Sequence, residues 1–216
     1  MTAISDTKVI GVFGGTFNPV HYGHLRTAVE IKALLGLEQV RLIPCRLPPH
    51  REQPDVSAEM RFAMLQLAIA GAEGLVADRC ELDRPGPSYM VDTLRALKAK
   101  QPEQTLVLII GGDAFLGLER WHQWRRLFDF AHVVVMMRPG FVASDLHPEL
   151  QQRVIVDPCH LRQSSVGYLW FQQVTQLDIS ATRIRQLIAD GGDARFLLPD
   201  QVLVFIKQHG LYQAVS

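Results

Sequence analysis

Cysteine is scarce in this chain, with three in 216 residues, at Cys45, Cys80 and Cys159. Their number is odd and they form no CxxC or CxxxC pair, which argues against a disulfide scaffold and against a zinc knuckle. An excess of charge of either sign is also missing. The 22 Lys+Arg balance 22 Asp+Glu to a formal net charge of zero. A broad basic face for nucleic acid or an anionic membrane is therefore not expected. A few cations gathered in one cleft for a small anionic ligand remain compatible with neutrality. No apolar run is long enough to span a bilayer, and the opening MTAISDTKVIGVF lacks the pattern of a signal peptide. Repeats, low-complexity tracts and Gly/Ser-rich linkers are absent as well. The expectation is a reduced, cytoplasmic protein with one domain over residues 1–216 and no nucleic-acid or membrane partner. Homo-oligomerisation stays open.

Short β-branched runs alternate with stretches of helical period. Strands are expected over 8–13, 39–44, 75–80, 105–110 and 131–137, with a weaker one over 166–171. Helices are expected over 22–35 with Gly36 as C-terminal cap, and from Ser57 with Met60, Ala63, Met64, Leu67 and Ala68 facing inward. Others should run from a Ser88 cap to about Lys100, over 180–190 and over 199–209, the last two closed by Gly191 and Gly210. The segment 141–165 supports no assignment. Strands alternating with helices imply parallel pairing, so the fold class is α/β, a doubly wound, mainly parallel Rossmann-like sheet with helices on both faces. Ligands in such sheets sit beyond the carboxyl ends of the strands.

The loop after the first strand reads Gly14-Gly15-Thr16-Phe17-Asn18-Pro19-Val20-His21-Tyr22-Gly23-His24. It is neither a Walker A loop nor GxGxxG, which counts against a dehydrogenase. Gly14 and Gly15 allow close approach of backbone N–H groups to phosphate oxygens, and Thr16 adds a hydroxyl. His21 and His24 fall on one face of a helix start, where an imidazolium is disfavoured, so both should be neutral until a polyphosphate raises their pKa values. Gly23 between them leaves room for a nucleotide. Near the other end, Ser180 should cap a helix whose free N–H groups, with Thr182, Arg183 and Arg185, make an anion site. For Arg183 a solvated basic turn is an equal alternative.

GGTFNPVHYGHL resembles the first signature, GGTFDPxHxGH, of the HxGH nucleotidyltransferase superfamily, with Asn18 where Asp is commoner. Ile179-Ser180-Ala181-Thr182-Arg183-Ile184-Arg185 resembles its second, ISSTxxR, with Ala181 replacing the middle Ser. Further loops are similar to those of bacterial nicotinate-mononucleotide adenylyltransferases. They are Pro48-Pro49-His50-Arg51, then Ser88-Tyr89-Met90 with Asp92-Thr93-Leu94, Gly112-Asp113, the run from Leu118 through Trp121 and His122 to Trp124, and Arg138-Pro139-Gly140.

The resemblance implies a nucleotidyltransferase that moves the adenylyl group of ATP to nicotinate mononucleotide, giving deamido-NAD and pyrophosphate. His21, His24 and Arg185 would be catalytic. Gly14, Gly15, Thr16, Phe17, Gly112, Asp113, Ser180, Thr182 and Arg183 would bind ATP. Arg51, Ser88, Tyr89, Met90, Trp121, His122 and Arg138 would bind the acceptor. Mg²⁺ would ride on the ATP phosphates rather than in a protein cage. The C-terminal helices 180–216 would complete the ATP site. Trp121 suits stacking on a pyridine ring, with Trp124 in the core, and Asp113 either holds a ribose hydroxyl or caps the turn it opens. Met90 stands where Thr is usual, which puts a side-chain contact to the acceptor carboxylate in question and leaves the helix-start N–H groups to provide it. The alternatives are nicotinamide mononucleotide or a phosphopantetheine as acceptor, or a nucleotide sensor without catalysis.

Overall fold

Apolar runs become strands where both of their faces are covered, and three here are covered almost throughout. β1 (Val9–Gly15) and β4 (Thr105–Gly111) are buried until their terminal glycines, and β5 (His132–Met137) until its last residue. The computed structural model describes residues 8–48, 54–137, 146–175 and 177–213. These strands join β2 (Gln39–Pro44), β3 (Leu75–Ala77), β6 (Val154–Ile155) and β7 (Leu169–Gln173) in a seven-stranded sheet of order β3-β2-β1-β4-β5-β7-β6. Parallel registers join β1 to β4, β4 to β5, β5 to β7 and β7 to β6. Strand order reverses between β1 and β4, so the carboxyl ends of those strands are where ligands gather in open α/β sheets.

The helices are α1 (Tyr22–Leu35), α2 (Ala58–Ala68), α3 (Met90–Lys100), α4 (Gly112–Leu116), α5 (Pro148–Gln151), α6 (Ala181–Ala189) and α7 (Asp200–Gln208). Tight 3-10 turns cover Leu118–Arg120, Trp124–Asp129 and Pro158–Arg162. Among the described residues no helix is long and apolar enough to cross a membrane.

By contacts the chain groups into two compact units. The first comprises Met1–Phe13, Ile31–Arg41 and Tyr89–Val174. Its core is built from β4, β5 and β7, with Trp124, Leu127 and Phe128 buried beside α3. Gly11 stands where a Cβ would meet Val40, Leu37 and Ile109 side-chain atoms at 2.9–3.0 Å, so the strand passes only without a side chain there. The second comprises Gly14–Glu30, Leu42–Ser88 and Thr175–Ser216, and in it α2 packs on α7.

Four expectations need correcting. β3 stops at Ala77: the Asp78 N–H still bonds the Leu42 carbonyl of β2, but its carboxylate accepts from the Cys80 N–H in a local turn that ends the strand. Ser88 does not cap α3. The cap position is Tyr89, and the Ser88 Oγ accepts from the N–H groups of Arg46 (2.8 Å) and Leu47 (3.4 Å) instead. The buried face of α2 is Arg61, Phe62, Met64 and Leu65, so of the residues expected inward only Met64 is fully buried. The last strand begins at Leu169, after Gly167 at φ +99°. Within 146–165, left unassigned from sequence, lie α5, β6 and one 3-10 turn.

Candidate active site

The second unit holds both phosphate signatures. β1 ends in Gly14-Gly15, and the chain then turns through Phe17 at φ +48°, a left-handed conformation that costs a bulky residue strain. The Phe17 ring is 1% exposed and lies under Gly15, where a Cβ would meet it at 3.0 Å. Its edge meets the His24 ring at a centroid distance of 5.1 Å. Phe17 therefore backs His24, and only its backbone can face a ligand.

His21 and His24 pack ring to ring, centroids 3.7 Å apart. The His24 Nδ1 accepts a long, 3.4 Å bond from the His21 N–H, which leaves Nε2 to carry the proton and donate. The His21 Nδ1 is buried with no hydrogen-bond partner, a polar atom whose desolvation nothing in the free protein offsets. A Cβ on Gly23 would stand 3.0 Å from the His21 ring and 3.5 Å from the Ile179 carbonyl. That glycine thus makes room first of all for His21 and the strand-to-helix entry of α6.

Burial lowers the His21 pKa to about 4. Burial, and then the neighbouring His21, lower that of His24 to about 3. Both rings are neutral at pH 7, as the sequence suggested, although burial rather than the helix end is the cause. Unfolded histidines titrate near 6.5, so between these values the unfolded chain binds more protons and stability falls as pH falls. We expect unfolding free energy to be at full strength above about pH 6.5 and to drop by a few kcal/mol (order of magnitude) toward pH 4. Urea titrations of the wild type and His21→Gln between pH 4.5 and 7 check this; the same pH slope in both would refute it.

Ser180 caps α6, its Oγ accepting from the Arg183 N–H at 3.2 Å. The Arg183 side chain is exposed. Arg185 bridges the two signatures: Nη1 donates to the Asn18 carbonyl at 2.8 Å, and Nη2 reaches the Thr182 Oγ1 at 3.4 Å. The Asn18 side chain is held too, accepting from the Tyr212 hydroxyl at 2.6 Å, whose pKa burial pushes well up. A close histidine pair, a helix N-terminus and one guanidinium are donors of the kind suited to phosphate.

The first unit holds most of the acceptor candidates. Tyr89 and His122 stack at 4.3 Å. Trp121 is half-buried after the 118–120 turn, while Trp124 is 6% exposed and carries Arg125 over its ring at 4.5 Å. Gly112 is buried at the start of α4, and Asp113 is exposed in its first turn. The N-cap position of that helix is Gly111, with Asp113 two residues further on. Met90 opens α3, half-buried. Arg51 and Arg138, with His50, Pro49, Pro139 and Gly140, lie outside the described residues.

A cytidylyltransferase-like family model matches residues 12–187. A protein of Methylococcus capsulatus named "Probable nicotinate-nucleotide adenylyltransferase" is 47% identical over 208 residues, covering 94% of this chain and 99% of its own. The chain belongs to this family. A Pseudomonas aeruginosa protein of the same name is 46% identical over 213 residues, 96% of this chain and 98% of its own. In fold, the chain is similar to Plasmodium falciparum nicotinic acid mononucleotide adenylyltransferase complexed with NaAD. The TM-score is 0.72 at 16% identity, over 95% of this chain and 97% of that one.

Sequence reasoning missed Tyr212 and Arg61 beside the candidate phosphate site, and read Asn18 only as a departure within its motif. Asn18 and Tyr212 form one hydrogen-bonded pair, and no local pattern links positions so far apart. Arg61 is 1% exposed on α2, and its guanidinium donates to the Thr16 carbonyl at 2.6 Å, the Cys45 carbonyl at 2.7 Å and the Val56 carbonyl at 3.3 Å. The apolar-face rule, which places arginine outward, hid it.

Proposed function

We propose that this protein transfers the adenylyl group of ATP to nicotinate mononucleotide, producing deamido-NAD and pyrophosphate for NAD synthesis. One observation carries the reading: the two phosphate-gripping motifs, distant in sequence, are tied by the Arg185–Asn18 bond at 2.8 Å. The names of relatives at 47% and 46% identity support the acceptor.

The acceptor's phosphate attacks the α-phosphorus of ATP in line, and pyrophosphate leaves. No covalent enzyme intermediate is needed, so the residues act by positioning and by placing donors where charge develops. His21 and His24 take the α- and β-phosphate oxygens. Their pKa values rise as the polyphosphate enters, and the orphaned His21 Nδ1 gains a partner. Arg185 and Ser180 hold the β- and γ-phosphates, while the Gly14 and Gly15 N–H groups, Thr16, Thr182 and Arg183 line the polyphosphate. Mg²⁺ carried by the ATP phosphates would supply charge neutralisation beside the donors of His21, His24 and Arg185.

Trp121 presents a ring face for the pyridine, and Asp113 a carboxylate for a ribose hydroxyl. Tyr89, His122, Met90 and Ser88 shape the acceptor side, with Arg51 and Arg138 as further contacts. A reduced cytoplasmic setting belongs to the same reading, supported by three free cysteines.

The test is pyrophosphate release with ATP and, in turn, nicotinate mononucleotide, nicotinamide mononucleotide and phosphopantetheine. We expect kcat/KM for the nicotinate substrate to lead the amide by about 10²-fold, the scale of one hydrogen bond to a charged group. Turnover only with another acceptor overturns the substrate. ATP binding with no pyrophosphate release from any of them makes the protein a sensor.

A further inference from the structure

A buried cation that lies outside both motifs in sequence is bonded to one of them. Arg61 sits on the core face of α2, and its two terminal nitrogens reach carbonyls in different loops. These are Thr16, in the turn after β1, and Cys45, the first residue after β2. At 2.6 and 2.7 Å both bonds are short, as charge-assisted bonds are. Around this fork the two loops are stitched a second time, by the Cys45 N–H on the Gly15 carbonyl at 2.9 Å and by the Cys45 thiol 3.7 Å from the Thr16 hydroxyl. Burial raises the Cys45 thiol most, Arg61 lowers it, and the buried Glu81 raises it.

Turning the Thr16 carbonyl toward Arg61 fixes the orientation of the peptide that follows it. That peptide's N–H belongs to Phe17, held left-handed at φ +48° against His24. With the carbonyl fixed inward, the Phe17 N–H of the same peptide is fixed pointing the opposite way. A buried charge is a costly way to hold a backbone in place, and a core helix could close with an apolar residue instead. We propose that Arg61 is a positioning residue for adenylyl transfer, its fork locking the phosphate loop after β1 against the loop after β2 so that the loop amides and the histidine pair stay aligned for polyphosphate. This rests on the adenylyltransferase reading above.

Removing the whole side chain would strand three carbonyls and threaten folding itself. The informative variants are therefore Arg61→Lys, which keeps charge without the fork, and Arg61→Gln, which keeps two donors without charge. Leu65→Ala, a core truncation on the same helix, serves as a control of comparable destabilisation. Two readouts are taken on the full chain, hydrogen exchange at the amides of 14–18 and kcat for pyrophosphate release. We expect both Arg61 variants to exchange faster at 14–18 and to lose about 10- to 100-fold in kcat, with Leu65→Ala close to wild type in both. Wild-type exchange at 14–18 in Arg61→Lys, or a Leu65→Ala loss as large at matched Tm, overturns the positioning role. If the wild type releases no pyrophosphate with any acceptor, the enzymatic reading fails, and the exchange experiment still decides whether Arg61 orders the loop.

Discussion

Replacing His21 or His24 by alanine is expected to lower kcat by about 10²- to 10³-fold, the usual effect of removing one donor from a charge-stabilising site. The KM for the mononucleotide should move far less. The rings sit 3.7 Å apart, and burial depresses both pKa values, to about 4 and about 3. Neutral imidazoles donate weakly and cost little to hold at that spacing. The entering polyphosphate, rather than the protein, supplies the negative charge that draws protons onto them. An environment that resists charging them in the free state and rewards it as charge grows on phosphorus favours the transition state over the resting enzyme.

Because each ring forms part of the other's surroundings, the two losses should not add. The double variant should be little worse than the weaker single one, and a cycle of kcat values measures the coupling. His21→Ala removes a buried nitrogen that has no partner, so its thermal midpoint should stay near that of wild type. Rates within a few fold of wild type in both single variants would remove the charge-stabilising role.

What the sequence discloses here depends on how local each interaction is. α1 begins and ends where its period and Gly36 indicate, and Ser180 caps α6, because both features are decided within one or two helical turns. β1, β4 and β5 are legible as strands since burial on both faces makes them continuously apolar. Ser88 misleads for the opposite reason. Its hydroxyl has a choice between the helix ahead of it and the Arg46 N–H some forty residues back, and it takes the latter at 2.8 Å. Arg61 turns the expected face of α2, since a helical wheel assigns arginine to solvent, while its partners, carbonyls at 16, 45 and 56, have no side-chain signature. Phe17 is legible as part of the motif but not as buried, because that depends on a left-handed backbone that only the packing against Gly15 and His24 reveals. The proposed catalytic residues stand in local motifs, whereas Arg61 and Arg185 reach backbone carbonyls far away in the chain.

Arg185→Ala is expected to cost about 10³-fold in kcat/KM for ATP, the lower end of what a phosphate-gripping arginine contributes. Two functions disappear with it. One is the charge offered to the leaving pyrophosphate, and the other is the 2.8 Å tie from α6 to the Asn18 carbonyl. Arg185→Lys separates them. A lysine restores a point charge but cannot spread two parallel donors over a phosphate edge, nor reach Asn18 and Thr182 with opposite ends of one planar group. It should recover no more than about tenfold of the loss.

Tyr212→Phe isolates the remaining element, since it frees the Asn18 side chain while leaving both arginine bonds in place. Its loss should be no more than about tenfold, the scale of one neutral hydrogen bond. Arg183 supplies the internal comparison. It stands in the same turn, its backbone N–H is spent on the Ser180 cap, and its side chain is exposed. Arg183→Ala should therefore cost less than about tenfold, as screened surface charges do. Steady-state kinetics at varied ATP rank the four variants. If Arg183→Ala proves the more damaging of the two alanine variants, the grip on the β- and γ-phosphates belongs to Arg183, and the Asn18–Arg185 tie is a structural bond alone.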